Sequence, residues 1–104
     1  MCALGEKNLK KETLFKLKIQ KKLKQIPGLW SVKVQMVALR GFPDLLICFN
    51  GRFIAWELKT SVGAADALQE YTLKAIEKAG GTARVITPDN VALAFFEDFG
   101  FRDY

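Results

Sequence analysis

Histidine is absent from the 104 residues. That absence excludes Ser-His-Asp hydrolases, His-based nucleases and most zinc sites. Any catalytic metal must take oxygen ligands, which points to Mg²⁺ or Mn²⁺. Cysteine is scarce: Cys2 is terminal and Cys48 lies in an apolar run. A free thiol and a buried small hydrophobe are expected there, rather than a disulfide or a metal pair. No apolar run approaches the roughly 20 residues of a membrane span. The start, Met1-Cys2-Ala3-Leu4-Gly5-Glu6, lacks signal-peptide architecture. A cytoplasmic protein with no membrane partner is expected. No internal repeat, linker, low-complexity segment, zinc finger or basic-zipper region is present. Acids are outnumbered, 11 against 16 Lys and Arg, for a net charge of +5. Such a balance suits a polyanion partner without separating DNA from RNA or an anionic surface.

What is present is concentrated between Gly41 and Thr60. Asn50-Gly51 separates two β-rich apolar runs. A type I′ turn needs positive φ at both central residues, so this dipeptide predicts a hairpin. With a two-residue loop, Phe49 pairs with Arg52, and counting outward sets Asp44 opposite Glu57. Glu57 and Lys59 then share the face that carries Asp44. Directly opposed residues have Cβ atoms about 4.5–5.5 Å apart, and like charges there are destabilising unless something cationic sits between them. The pair reads as a site for a divalent metal, with Lys59 adding positive charge. An odd loop or a bulge would move Asp44 off Glu57.

The remainder predicts one domain over residues 1–104. Strands are expected near 29–36, 43–49, 52–59 and 82–87, and helices near 8–25 and 66–79, with a short helix capped by Asp89 and running to about Phe99. Residues 1–7 are expected to fray. Phe15, Ile19, Leu23 and Ile26 form the inward stripe of the first helix; Leu14 and Leu17 fall off it. Lysines crowd the rest of that helix, Lys10, Lys11 and Lys16 among them, either as a solvated face or as phosphate contacts. Glu12 lies one turn before Phe15 on the stripe, and an inward acid needs a partner; an i,i+4 pair with Lys16 is the simplest one. Trp30, Val32, Val34 and Met36 share one face of a half-buried strand. Arg40 either meets a phosphate or is a plain loop residue. Both faces of the hairpin are apolar, so it should be central and covered by helices. Asp66 and Gln69 form a capping-box variant. The strand at 82–87 should run parallel to the one carrying Glu57. The aromatic tail from Phe95 to Tyr104 packs either on its own sheet or, as the favoured reading, in a subunit interface.

The string Arg40-Gly41-Phe42-Pro43-Asp44, then Glu57-Leu58-Lys59-Thr60, then Gln69, resembles the VRR-NUC branch of the PD-(D/E)XK nuclease superfamily. It is also similar in layout to archaeal Holliday-junction resolvases. The likeness covers most of the chain, from about Glu12 to about Thr87. It implies an α/β, restriction-endonuclease-like core, with a central mixed sheet flanked by helices. It implies that Asp44, Glu57 and the Leu58 backbone carbonyl hold Mg²⁺, that a first-helix glutamate, here Glu12, reaches the metal, and that Gln69 leans over the site. Glu6 is a weaker candidate for the same role. Catalytic residues would be Asp44, Glu57, Lys59 and Gln69, with no nucleotide cofactor. Two adjacent carboxylates favour a charged Lys59, so orientation and charge stabilisation are expected over general-base action. One-metal and two-metal schemes stay open.

The implied function is metal-dependent, structure-selective cleavage of DNA, with recognition resting on backbone charge and DNA shape. A homodimer with two symmetric sites suits a branched substrate, as in a Holliday-junction resolvase of phage or mobile-element type. A nuclease for flaps, nicks or duplex shares every catalytic residue and remains open, as does a non-catalytic DNA-binding module. Intact Asp44, Glu57 and Lys59 speak against the last.

Overall fold

The computed structural model describes residues 3–35, 41–60 and 66–104, with side chains described from Lys11 onward. The elements run α1 (Ala3–Lys24), β1 (Leu29–Lys33), β2 (Leu45–Phe49), β3 (Arg52–Leu58), α2 (Ala67–Lys78), β4 (Thr82–Ile86) and α3 (Val91–Phe99). The result is a small α/β domain with a four-stranded mixed sheet flanked by helices. Helix α1 reaches back to Ala3, through residues expected to fray, because Ala, Leu, Glu and Lys are strong helix formers. Its stop at Pro27-Gly28 is as expected, with Gly28 at φ 78°.

The hairpin forms as its turn residues dictate, Asn50 at φ 56° and Gly51 at φ 76°. Strands β2 and β3 are antiparallel with Phe49 opposite Arg52 and Leu45 opposite Trp56. Strand β1 adds antiparallel to β2, and β4 adds parallel to β3, giving the order β1-β2-β3-β4 with the hairpin central. Ile19 and Leu23 of α1, with Ile26 just beyond its end, meet Leu45, Ile47, Ile54, Trp56, Leu58 and Ile86 on one sheet face, together with Phe95 and Phe99 of α3. Phe15 packs at the edge of this core, while Leu14 and Leu17 stay exposed.

The second sheet face departs from expectation. Helix α2 packs on β4, and Ala55 and Glu57 are buried on its side of the sheet. Farther out, Trp30, Val32, Cys48 and Phe53 are exposed. Alternation sorts residues between faces but does not say which face is covered. Helix α1 lies over the face of Leu29 and Ser31, so the apolar face of β1 is left outside and Cys48 is not a core residue. Cys2 and Met36 lie outside the described residues.

The aromatic tail is also corrected. Phe95 packs edge-on against Trp56 at 5.1 Å, and Tyr104 stacks back on Phe95 at 5.0 Å. These rings complete the domain's own core rather than forming a free interface. Asp89 does not cap α3. Asn90 takes the capping position, and its side chain instead accepts from Thr87 N–H and donates to the Val85 carbonyl. Among the described residues, no helix is long and apolar enough to cross a membrane.

One polar network fastens α3 to the sheet. Asp98 is 2% exposed, accepts from Trp56 Nε1 at 2.9 Å and from Arg84 Nη2 at 2.8 Å, while Arg52 donates to its main-chain carbonyl. A buried carboxylate is tolerated because every side of it is met by a donor. Asp98→Ala strands the indole N–H and the guanidinium together, so it should lower unfolding stability by about 3 kcal/mol in a denaturant titration. Asp98→Asn, which keeps an acceptor for Trp56, should lose less.

Candidate active site

The hairpin register decides the site. Leu45 faces Trp56, so the next pair outward is Asp44 and Glu57. Two backbone contacts pin Asp44: its carbonyl accepts from Val34 N–H at 2.8 Å, and its Oδ2 accepts from Leu58 N–H at 2.8 Å. The loop entering Asp44 lies close against α2. A Cβ at Gly41 would stand 2.7 Å from Leu68 Cγ and 3.0 Å from the Leu68 carbonyl, and Gly41 has φ 81°. Only glycine satisfies both conditions. That close approach sets the Asp44 loop beside the first turn of α2, which carries Gln69.

Gln69 caps α2 and also contacts Glu57. Its Oε1 accepts from Asp66 N–H at 3.1 Å while its own N–H donates to Asp66 Oδ1 at 2.9 Å, a complete capping box. Its Nε2 simultaneously donates to Glu57 Oε2 at 2.7 Å. The cap thus holds the amide in the orientation that fixes the Glu57 carboxylate.

Glu57 is only 4% exposed. Lys59 Nζ stands 3.7 Å from its Oε2, and Oε1 is buried with no hydrogen-bond partner. Burial, and then the negative charge of Asp44, push its carboxyl up from 4.5 to about 7, against the opposing pull of Lys59, the Asp44 main chain and Lys16. An orphaned carboxylate oxygen beside a second carboxylate is a poor structural device and a good cation ligand. Two carboxylates form a hard oxygen donor set suited to Mg²⁺, which binds through one or two carboxylates and keeps several waters. The Leu58 carbonyl lies on the same edge of β3, because an extended residue turns its C=O to the side of its N–H, and that N–H meets Asp44.

Asp44, Glu57, Leu58, Lys59 and Gln69 are therefore brought together at one end of the sheet, as expected. Glu12 is not. It pairs with Lys16 at 3.4 Å, and among the described residues no three Asp, Glu, Cys or His side chains form a metal cluster. Residues four apart on a helix meet more readily than residues on different elements. Lys16 itself joins the site: its Nζ is 3.9 Å from Asp44 Oδ1. The sequence offered no signal for this contact, since the helical stripe does not reveal which strand end α1 crosses. Lys11 is exposed on α1. The Lys10 side chain, the Glu6 side chain and Arg40 lie outside the described residues.

The raised Glu57 carboxyl has a consequence for stability. The folded chain holds a proton that the unfolded chain has released between pH 4.5 and about 7. Stability therefore falls as pH rises through that window, and the loss is complete above it. Glu57→Gln keeps the hydrogen bond from Gln69 and removes the charge. At pH 8, without divalent cations, the variant should be more stable than wild type by on the order of 2 kcal/mol, the gap closing towards pH 4.5. Denaturant titrations across this range measure it, and millimolar Mg²⁺ should narrow the gap by stabilising the wild type alone.

No family model, curated protein or solved structure compared with the chain matches it.

Proposed function

We propose that this chain is a metal-dependent DNA endonuclease of the PD-(D/E)XK type, with the restriction-endonuclease-like core that its motif implies. The observation that carries this reading is the carboxylate pair Asp44–Glu57, with the Glu57 Oε1 atom buried and unpartnered and Lys59 alongside at 3.7 Å. A divalent cation at this pair would neutralise charge on the phosphate and lower the pKa of a bound water. The chain's own groups supply the rest. Asp44, anchored by Leu58 N–H, and Glu57, oriented by Gln69, present oxygens in fixed positions, which removes reorganisation from the reaction. Lys59 stabilises the negative charge that develops on the phosphate and orients the attacking water.

The finer reading is a homodimer acting on a four-way DNA junction. A two-fold pair supplies two equivalent sites for two equivalent strands. In a chain of net charge +5, the exposed face of Trp30, Val32, Cys48 and Phe53 is an uncharged surface where two copies can meet without repulsion.

Purified protein incubated with a labelled four-way junction and the matching linear duplex tests both levels. Symmetric paired cuts in the junction, requiring Mg²⁺ and reduced on the order of 10³-fold in Asp44→Asn, are expected. Equal cutting of the duplex would discard the junction preference. Cleavage surviving in Asp44→Asn, or binding without cleavage in Mg²⁺ and Mn²⁺, would contradict the nuclease assignment.

A further inference from the structure

Beside the carboxylate pair, a groove of about 210 Å³ runs between α1 and β1, lined by Glu12, Thr13, Lys16, Leu17 and Gln20 of the helix and Lys33 of the strand. We propose that this groove seats the phosphodiester backbone next to the reacting phosphate, with Lys33, Lys16 and Gln20 as its phosphate-facing residues. The inference rests on the nuclease reading and adds to it the direction in which the substrate strand leaves the site.

Three observations carry it. First, groove and site are continuous. Lys16 lines the groove and stands 3.9 Å from Asp44 Oδ1. Lys33 is the register partner of Leu45, the residue after Asp44. A strand whose reacting phosphate lies at Asp44 therefore has its neighbouring phosphate within reach of these lysines.

Second, the groove's charge suits a polyanion. Its single acid, Glu12, is matched by Lys16 at 3.4 Å. Lys33 is exposed and has no acidic partner among the described residues. Among the described lining residues the net balance is one positive charge, supplemented by the hydrogen-bonding groups of Thr13 and Gln20 and an apolar edge at Leu17. Phosphate contacts of this mixed kind position a backbone without reading its sequence.

Third, the opposite flank of the site is unsuited to the same task. The first turn of α2 presents Asp66 and Glu70, both exposed. Glu70 is paired with Lys74 at 3.2 Å, so the excess negative charge on that side is that of Asp66, which repels a backbone laid there.

The test is equilibrium binding in EDTA, where no cleavage occurs, of a fluorescently labelled DNA duplex and of the four-way junction, over a range of salt concentrations. Lys33→Gln should weaken binding about five- to tenfold at about 0.1 M salt and reduce the slope of log K against log salt by about 1. Gln20→Ala should weaken binding with the slope unchanged, and Glu12→Gln should tighten it. Lys74→Gln, on the exposed face of α2, should change neither affinity nor slope. Wild-type affinity and slope in Lys33→Gln, with a loss in Lys74→Gln, would overturn the groove while leaving the nuclease reading intact. A wild-type protein that binds neither DNA in EDTA and cleaves neither in Mg²⁺ would overturn both.

Discussion

Two carboxylates held side by side by a two-residue turn are the constraint on which the site depends. Asn50-Gly51 fixes the register, and the register puts Asp44 against Glu57. Nothing in the packing requires acids at that pair. An apolar pair would continue the strand faces and remove the mutual repulsion that helps drive the Glu57 carboxyl up to about 7. The fold surrounds this unfavourable pair with fixed donors: Leu58 N–H on Asp44, and the Gln69 amide on Glu57. The Glu57 Oε1 atom is left without a partner. A divalent cation would answer both the repulsion and the vacant lone pairs, which links the thermodynamics of the pair to its proposed chemistry.

The surrounding elements position that pair from both sides of the sheet. Helix α1 brings Lys16 to Asp44, and α2 brings Gln69 to Glu57. On the opposite side of the sheet, β3, which carries Glu57, is fastened to α3. There, Asp98 ties Trp56 of β3 and Arg84 of β4 to α3. Gly41 acts similarly at the other end, where close contact with Leu68 sets the spacing between the Asp44 loop and α2.

Local rules reached far in this sequence. The turn dipeptide, the stripe of Ile19, Leu23 and Ile26, the capping pair Asp66–Gln69 and the parallel placing of β4 are each set by near neighbours or by chain connectivity, and the structure reproduces them. What sequence could not show depends on how layers cover one another. Trp30, Val32 and Cys48 look like core residues by alternation, yet α2 stops at the β3–β4 side. The aromatic tail looks like an interface by composition, yet it closes the domain's own core. The contact of Lys16 with Asp44 and the Asp98 network join elements far apart in sequence, and no spacing rule encodes them.

The most direct measurement is Mn²⁺ titration of isotope-labelled protein, followed by paramagnetic broadening of backbone amide resonances. Broadening at substoichiometric Mn²⁺ should begin at Asp44, Glu57, Leu58 and Lys59 and should vanish in Asp44→Asn. Broadening that begins at other acids, such as Asp66 and Glu70, or that persists unchanged in Asp44→Asn, would contradict a cation site at the carboxylate pair.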